Sequence, residues 1–140
     1  MRQINIWATA ALLTVGLTAA TGCDGKISQC NRLIEVINAE QNTIRNAKTD
    51  DANAMKELAD KLDGVVKKVE GVEVKDEKLV KFRGDYIGLI SDFAKTARNT
   101  AGAMESKDLN KLQEAQKELK KIGPRESNLV NDINSYCQGG

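Results

Sequence analysis

The chain has 140 residues, which is typical of one domain with a real hydrophobic core. It contains no histidine, so the commonest general base and the commonest metal ligand are both absent. Its formal charge of +1 lacks the basic excess of most nucleic-acid-binding proteins. With one proline and few aromatic residues, the composition favours an all-α fold and argues against a nucleic-acid partner.

The first 23 residues have the organisation of a bacterial export signal. A short start carries Arg2 and the amino terminus as its positive charges, and residues 6–20 contain no charged side chain. This apolar run has the length of a signal-peptide core and is short for a membrane-spanning helix. Arg2 is the only ionised side chain before Cys23, and the chain has 21 basic against 20 acidic residues. The part that follows the signal is therefore balanced in charge.

The signal ends in Ala20-Thr21-Gly22-Cys23. This ending resembles the lipobox of bacterial lipoproteins, in which Leu, Val or Ile is usual at the position of Ala20. The resemblance covers residues 1–23 only. It implies that the signal is cleaved before Cys23, that Cys23 is acylated, and that the lipid holds the mature chain at a membrane of the cell envelope. An ordinary cleavage site is the alternative, since Ala20 and Gly22 are both small.

The cysteine count separates these two alternatives, because the chain has three cysteines. If Cys23 carries lipid, Cys30 and Cys137 form an even pair in an oxidising compartment; otherwise an odd thiol is left over. We therefore predict lipidation of Cys23 and a disulfide between Cys30 and Cys137. Asp24 resembles an inner-membrane retention signal of enteric bacteria, a rule that does not hold across bacteria, so the choice between inner and outer membrane stays open.

Four stretches of apolar residues at spacings of three and four predict four amphipathic helices. The predicted helices cover about 28–46, 52–69, 76–105 and 109–137, the last kinked or broken at Gly123-Pro124. A single long helix across Thr49 is the alternative, because the second stripe continues the phase of the first. The predicted scheme is a signal peptide (1–22), a lipid-anchored tether (23–27), a helical bundle (28–137) and a disordered tail (138–140).

The positions of two cysteines bear on the number of helices. Cys30 lies near the start of the first helix and Cys137 at the end of the last, both on apolar stripes. In an antiparallel up-down-up-down bundle these ends meet at one pole, where two Cα atoms can lie about 5.5–6 Å apart. Three long helices would separate them by about 30 Å. The pairing therefore favours a four-helix bundle with a real turn near Thr49.

No catalytic, metal-binding or cofactor-binding residue is predicted. The chain has no Cys-x-x-Cys pair, no Gly-x-Ser-x-Gly turn and no phosphate-binding loop. Lysines 117, 120 and 121 alternate with glutamates, as on a solvated helix face. Gly84 and Gly88, four residues apart, favour close helix packing over a tolerated surface position.

Two kinds of function remain after these exclusions. The first is a membrane-anchored binding or structural module, not an enzyme, whose expected partner is another envelope protein or a polymer. The second is a carrier or sensor that holds a small apolar ligand between its helices. Small residues around Ala97 on the third helix could leave room for such a ligand, although close helix packing explains them equally well.

Overall fold

The computed structural model describes residues 24–139, and within this range the chain forms four α-helices and no strand. The helices are α1 (Lys26–Arg45), α2 (Ala52–Glu70), α3 (Glu77–Ser106) and α4 (Leu109–Gln138). The predicted all-α, antiparallel four-helix bundle is confirmed. Cys23 and the export signal lie outside the described residues.

Three of the four helices begin at an aspartate that caps the first turn. The side chains of Asp51, Asp76 and Asp108 each accept a hydrogen bond from the backbone N–H three residues further on, at 2.8–3.1 Å. Such caps satisfy donors that have no partner inside the helix. The cap at Asp51 places a turn between α1 and α2, so the alternative of one long helix across Thr49 is excluded.

Two helix boundaries differ from the predicted ones by a few residues. α1 begins at Lys26, inside the segment predicted as a tether, and α4 includes Gln138, which was expected in the tail. α4 also remains one helix through Pro124, so it is not broken there. Pro124 is exposed, and buried Ile122 and Ile133 hold the helix on either side of it. Packing on both sides outweighs the hydrogen bond that proline removes.

Most of the core residues lie on α2 and α3, and α1 and α4 each add a few buried side chains. The most extensive packing joins α2 to α3, followed by α3 to α4, whereas α1 contacts each of the others less. Val72 and Val74, in the extended connector before α3, are also buried. Phe82 and Tyr86 lie in the core, and Phe93 is partly buried against it.

The ends of the helices define two poles. The disulfide pole comprises residues 24–32, 71–79 and 133–139, where the start of α1, the α2–α3 connector and the end of α4 meet. The turn pole comprises residues 46–51 and 106–108, and an ion pair between Lys56 and Glu105 joins α2 to α3 beside it. None of the four described helices is long and apolar enough to cross a bilayer.

Candidate functional site

A disulfide joins the first and last helices at the disulfide pole. Cys30 lies in the second turn of α1 and Cys137 in the last turn of α4, with their Cα atoms 5.8 Å apart. This separation suits a disulfide. Cys30 is 2% exposed, whereas Cys137 is only partly buried. The predicted pairing is confirmed, and it closes a loop across 107 positions of the sequence.

A buried glutamine connects α1 to the segment before α3. Gln29 is 5% exposed, and its side-chain oxygen accepts hydrogen bonds from the backbone N–H groups of Lys75 at 2.5 Å and Asp76 at 2.9 Å. Its side-chain nitrogen donates to the carbonyl of Asp24 at 2.7 Å. Gln29 therefore satisfies backbone groups from two segments. The sequence pattern did not identify it, because nothing local marks a polar residue that will cap another segment.

Asp76 links α3 to the end of α4. The Tyr136 hydroxyl donates to both carboxylate oxygens of Asp76, at 3.0 and 2.9 Å. The backbone N–H of Leu79, assisted by this hydroxyl, holds the pKa of Asp76 below its usual range. The same contact with the negative Asp76 raises the pKa of Tyr136. The Lys26 ammonium lies 4.0 Å from the centre of the Tyr136 ring, in cation–π geometry.

Arg32 holds the first described residue against the bundle. Its guanidinium donates to the carboxylate of Asp24 at 2.7 Å and to the carbonyl of Glu73 at 2.9 Å. The hydrogen bond from Arg32 is the main reason that the pKa of Asp24 is lowered. The residue that follows the predicted anchor is thus fixed to α1 and to the α2–α3 connector.

The middle of the interface between α1 and the other helices is polar. Glu40 is 5% exposed, and its carboxylate accepts from the Lys68 ammonium at 2.7 Å. Gln41 donates to Glu126 of α4 at 3.3 Å, as expected for a polar residue at a helix crossing. The fully buried hydroxyl of Tyr86 has no hydrogen-bond partner among the described residues. Burial raises the pKa of Tyr86, and the negative charges of Glu126 and Glu40 raise it further.

The glycines of α3 do not pack closely within this chain. Gly84, Gly88 and Gly102 are exposed, and a methyl group added to any of them would meet no atom within 4 Å. The expectation of close packing at Gly84 and Gly88 is therefore wrong for the described part of the chain. Ala97 and Ala101, by contrast, are fully buried in the core.

The lysine-rich part of α4 lines a surface groove rather than an enclosed site. This groove, of about 1060 Å³, runs between α3 and α4 towards the turn pole. Its walls carry Lys111, Lys117 and Lys121 together with Glu114 and Glu118. Lys121 donates to Glu118 at 2.6 Å, both side chains being exposed, which agrees with the predicted solvated face. Residues 24–139 contain no cluster of acidic or cysteine side chains that could hold a metal ion.

No protein-family model, curated protein or solved structure matches this chain, so a proposal for its function depends on its own residues.

Proposed function

We propose that this chain is the precursor of a bacterial envelope lipoprotein, held at a membrane by lipid on Cys23, whose helical bundle binds another envelope protein or a polymer. The observation that carries the proposal is the disulfide between Cys30 and Cys137. Disulfides persist in oxidising compartments outside the cytoplasm. This one uses two of the three cysteines and leaves Cys23 for acylation.

The geometry of the disulfide pole supports a short attachment. α1 begins at Lys26, three residues after Cys23, and three residues of chain reach at most about 10 Å. Asp24 is already fixed by Arg32 within that distance. A lipid on Cys23 would therefore keep the disulfide pole close to the membrane surface.

The same geometry favours the turn pole as the binding end. Both α3 and α4 have 30 residues, which corresponds to a length of about 45 Å. The groove lined by Lys111 and Lys117 lies towards the turn pole and would project away from the membrane. Its open, charged walls suit a polar partner surface. The proposal assigns no catalytic residue and no cofactor.

Fractionation of cells tests the anchor. Wild-type protein is expected in the membrane fraction and, after extraction, in the detergent-rich phase of a two-phase separation. Cys23→Ala is expected to lose the mass of the diacylglyceryl group, whereas Thr21→Ala, which keeps a small residue in the signal, is expected to retain it. Wild-type protein in the aqueous phase, or Cys23→Ala protein that still carries the mass of the lipid, would contradict the anchor.

Photo-crosslinking in living cells tests the binding end. A photoreactive amino acid at Ser106 or Lys117, towards the turn pole, is expected to give discrete crosslinked products. The matched control is the exposed position Lys81, nearer the disulfide pole, which is expected to give none. Products at Lys81 alone, or at no position, would contradict a binding surface at the turn pole.

A further inference from the structure

α1 makes fewer contacts with the rest of the bundle than any other helix does. It buries five residues, against six in α2, eleven in α3 and three in α4. α1 also contacts α3 and α4 far less than those two helices contact each other. The unit α2–α4 thus contains most of the core without α1.

Besides its apolar contacts, α1 meets this unit through buried polar side chains. Glu40 is a nearly buried carboxylate whose partner, the Lys68 side chain, is 62% exposed. The buried Tyr86 hydroxyl, whose pKa is raised by burial and by the charges of Glu126 and Glu40, has no hydrogen-bond partner among the described residues, which is unfavourable for the folded bundle. Surfaces that dock reversibly are more polar than permanent cores. The α1 interface combines the buried Leu33 and Ile37 with the nearly buried Glu40 carboxylate, whereas all the buried residues of α2 are apolar.

The covalent attachment of α1 and several of its hydrogen bonds lie at the disulfide pole. The Cys30–Cys137 bond and the hydrogen bonds of Gln29 both lie within its first two turns. At its other end, the connector 46–51 has six residues, a reach of about 20 Å. Such a connector allows α1 to move away from α3 and α4 once the fastening at the disulfide pole is released.

We propose that α1 is a releasable helix and that the Cys30–Cys137 disulfide is its redox latch, opened by a dithiol reductant. A thiolate of the dithiol attacks the sulfur of Cys137, the more exposed of the pair, and the Cys30 sulfur leaves and takes up a proton. The second thiol of the reductant then displaces Cys137 as a thiol. Two electrons and two protons pass to the protein, and the dithiol becomes a disulfide.

Release of α1 would uncover part of the bundle interior. Leu79, Ile90 and Ile133, each at most 1% exposed, belong to the same core cluster as Leu33 and Ile37 of α1. Without α1, the apolar side chains that pack against Leu33 and Ile37 become accessible. The latch does not depend on the lipid anchor, and it goes beyond the proposed binding function.

Hydrogen–deuterium exchange of the full chain in detergent, with and without dithiothreitol, tests the latch. Reduction is expected to speed amide exchange in α1 by at least about tenfold and to leave exchange in the cores of α2, α3 and α4 nearly unchanged. The variant Cys30→Ser/Cys137→Ser should show fast α1 exchange with or without dithiothreitol. Unchanged exchange in α1 after reduction, or an equal loss of protection in all four helices, would overturn the proposal.

A second variant tests the polar interface itself. Tyr86→Phe removes a hydroxyl that has no partner among residues 24–139, so in the reduced protein it is expected to slow α1 exchange several-fold relative to reduced wild type. The matched control is Tyr136→Phe, whose hydroxyl is bonded to Asp76 and which should not slow it. If Tyr86→Phe instead accelerates α1 exchange, the hydroxyl supports docking and the polar-interface argument fails.

Discussion

Replacement of Tyr86 by phenylalanine is expected to stabilise the protein. The tyrosine is 0% exposed, and its hydroxyl has no hydrogen-bond partner among the described residues. An unsatisfied buried polar group costs about 1–3 kcal/mol, because the water it loses on folding is not replaced. Phenylalanine keeps the ring and its packing and leaves only a small void. We therefore expect the free energy of unfolding to rise by about 1 kcal/mol, which corresponds to roughly 3–6 °C in Tm.

Urea and thermal unfolding of the oxidised protein measure this change. Tyr136→Phe is the matched control, because the chain has only two tyrosines and the Tyr136 hydroxyl donates to Asp76. The control is expected to lower stability, so the two identical substitutions should act in opposite directions. A Tyr86→Phe protein that is less stable than wild type by about 1 kcal/mol or more would show that the hydroxyl is satisfied, which refutes the reasoning.

The pH dependence of the same variant provides a second check. Burial and the nearby Glu126 and Glu40 raise the pKa of Tyr86 in the folded protein. In the unfolded chain a tyrosine ionises at about pH 10, whereas Tyr86 in the folded protein still keeps its proton at that pH. Unfolding is therefore increasingly favoured as the pH rises above about 10. Tyr86→Phe is expected to lose less stability than wild type over this range.

Three further predictions concern the helices and their caps. Gly88→Ala is expected to raise the unfolding free energy by about 0.5–1 kcal/mol in urea titrations, because the exposed position has room for a methyl group; a decrease would indicate an unseen contact. Asp51→Ala removes the cap of α2 and should lower the free energy of unfolding by about 1 kcal/mol, whereas Asp51→Asn, which keeps an acceptor oxygen, should lower that free energy less. Contacts in the folded state lower the pKa of Asp76, so its carboxylate stabilises the fold above about pH 4 and this stabilisation is lost as the pH falls further. In thermal scans, the Tm of Asp76→Asn should therefore fall less on acidification than the Tm of wild type does.

The fold could be predicted from the sequence because its signals are local. The apolar stripes and the aspartates at 51, 76 and 108 mark helix faces and helix starts within a few residues of chain. The disulfide followed from combining these elements with the positions of Cys30 and Cys137. The helix count was ambiguous in the stripes alone, and the cysteine pair resolved it.

Other features could not be predicted, because they depend on packing between distant segments. α4 passes through Pro124 because it is held against the bundle on both sides, which no local pattern contains. Tyr86 lies on an ordinary apolar stripe and Gln29 beside one. Only the folded chain places Gln29 against Lys75 and leaves the Tyr86 hydroxyl without a partner among the described residues. The open surroundings of Gly88 likewise depend on where α4 lies.

The intact mass of the protein, expressed in a bacterial host and extracted in detergent, tests the central claim most directly. It is measured before and after reduction and alkylation. The account predicts a chain that begins at Cys23 with a diacylglyceryl group attached, and two further thiols, Cys30 and Cys137, that react only after reduction. A chain that begins at another residue and carries no lipid would contradict the anchor, and an alkylated Cys30 or Cys137 before reduction would contradict the disulfide.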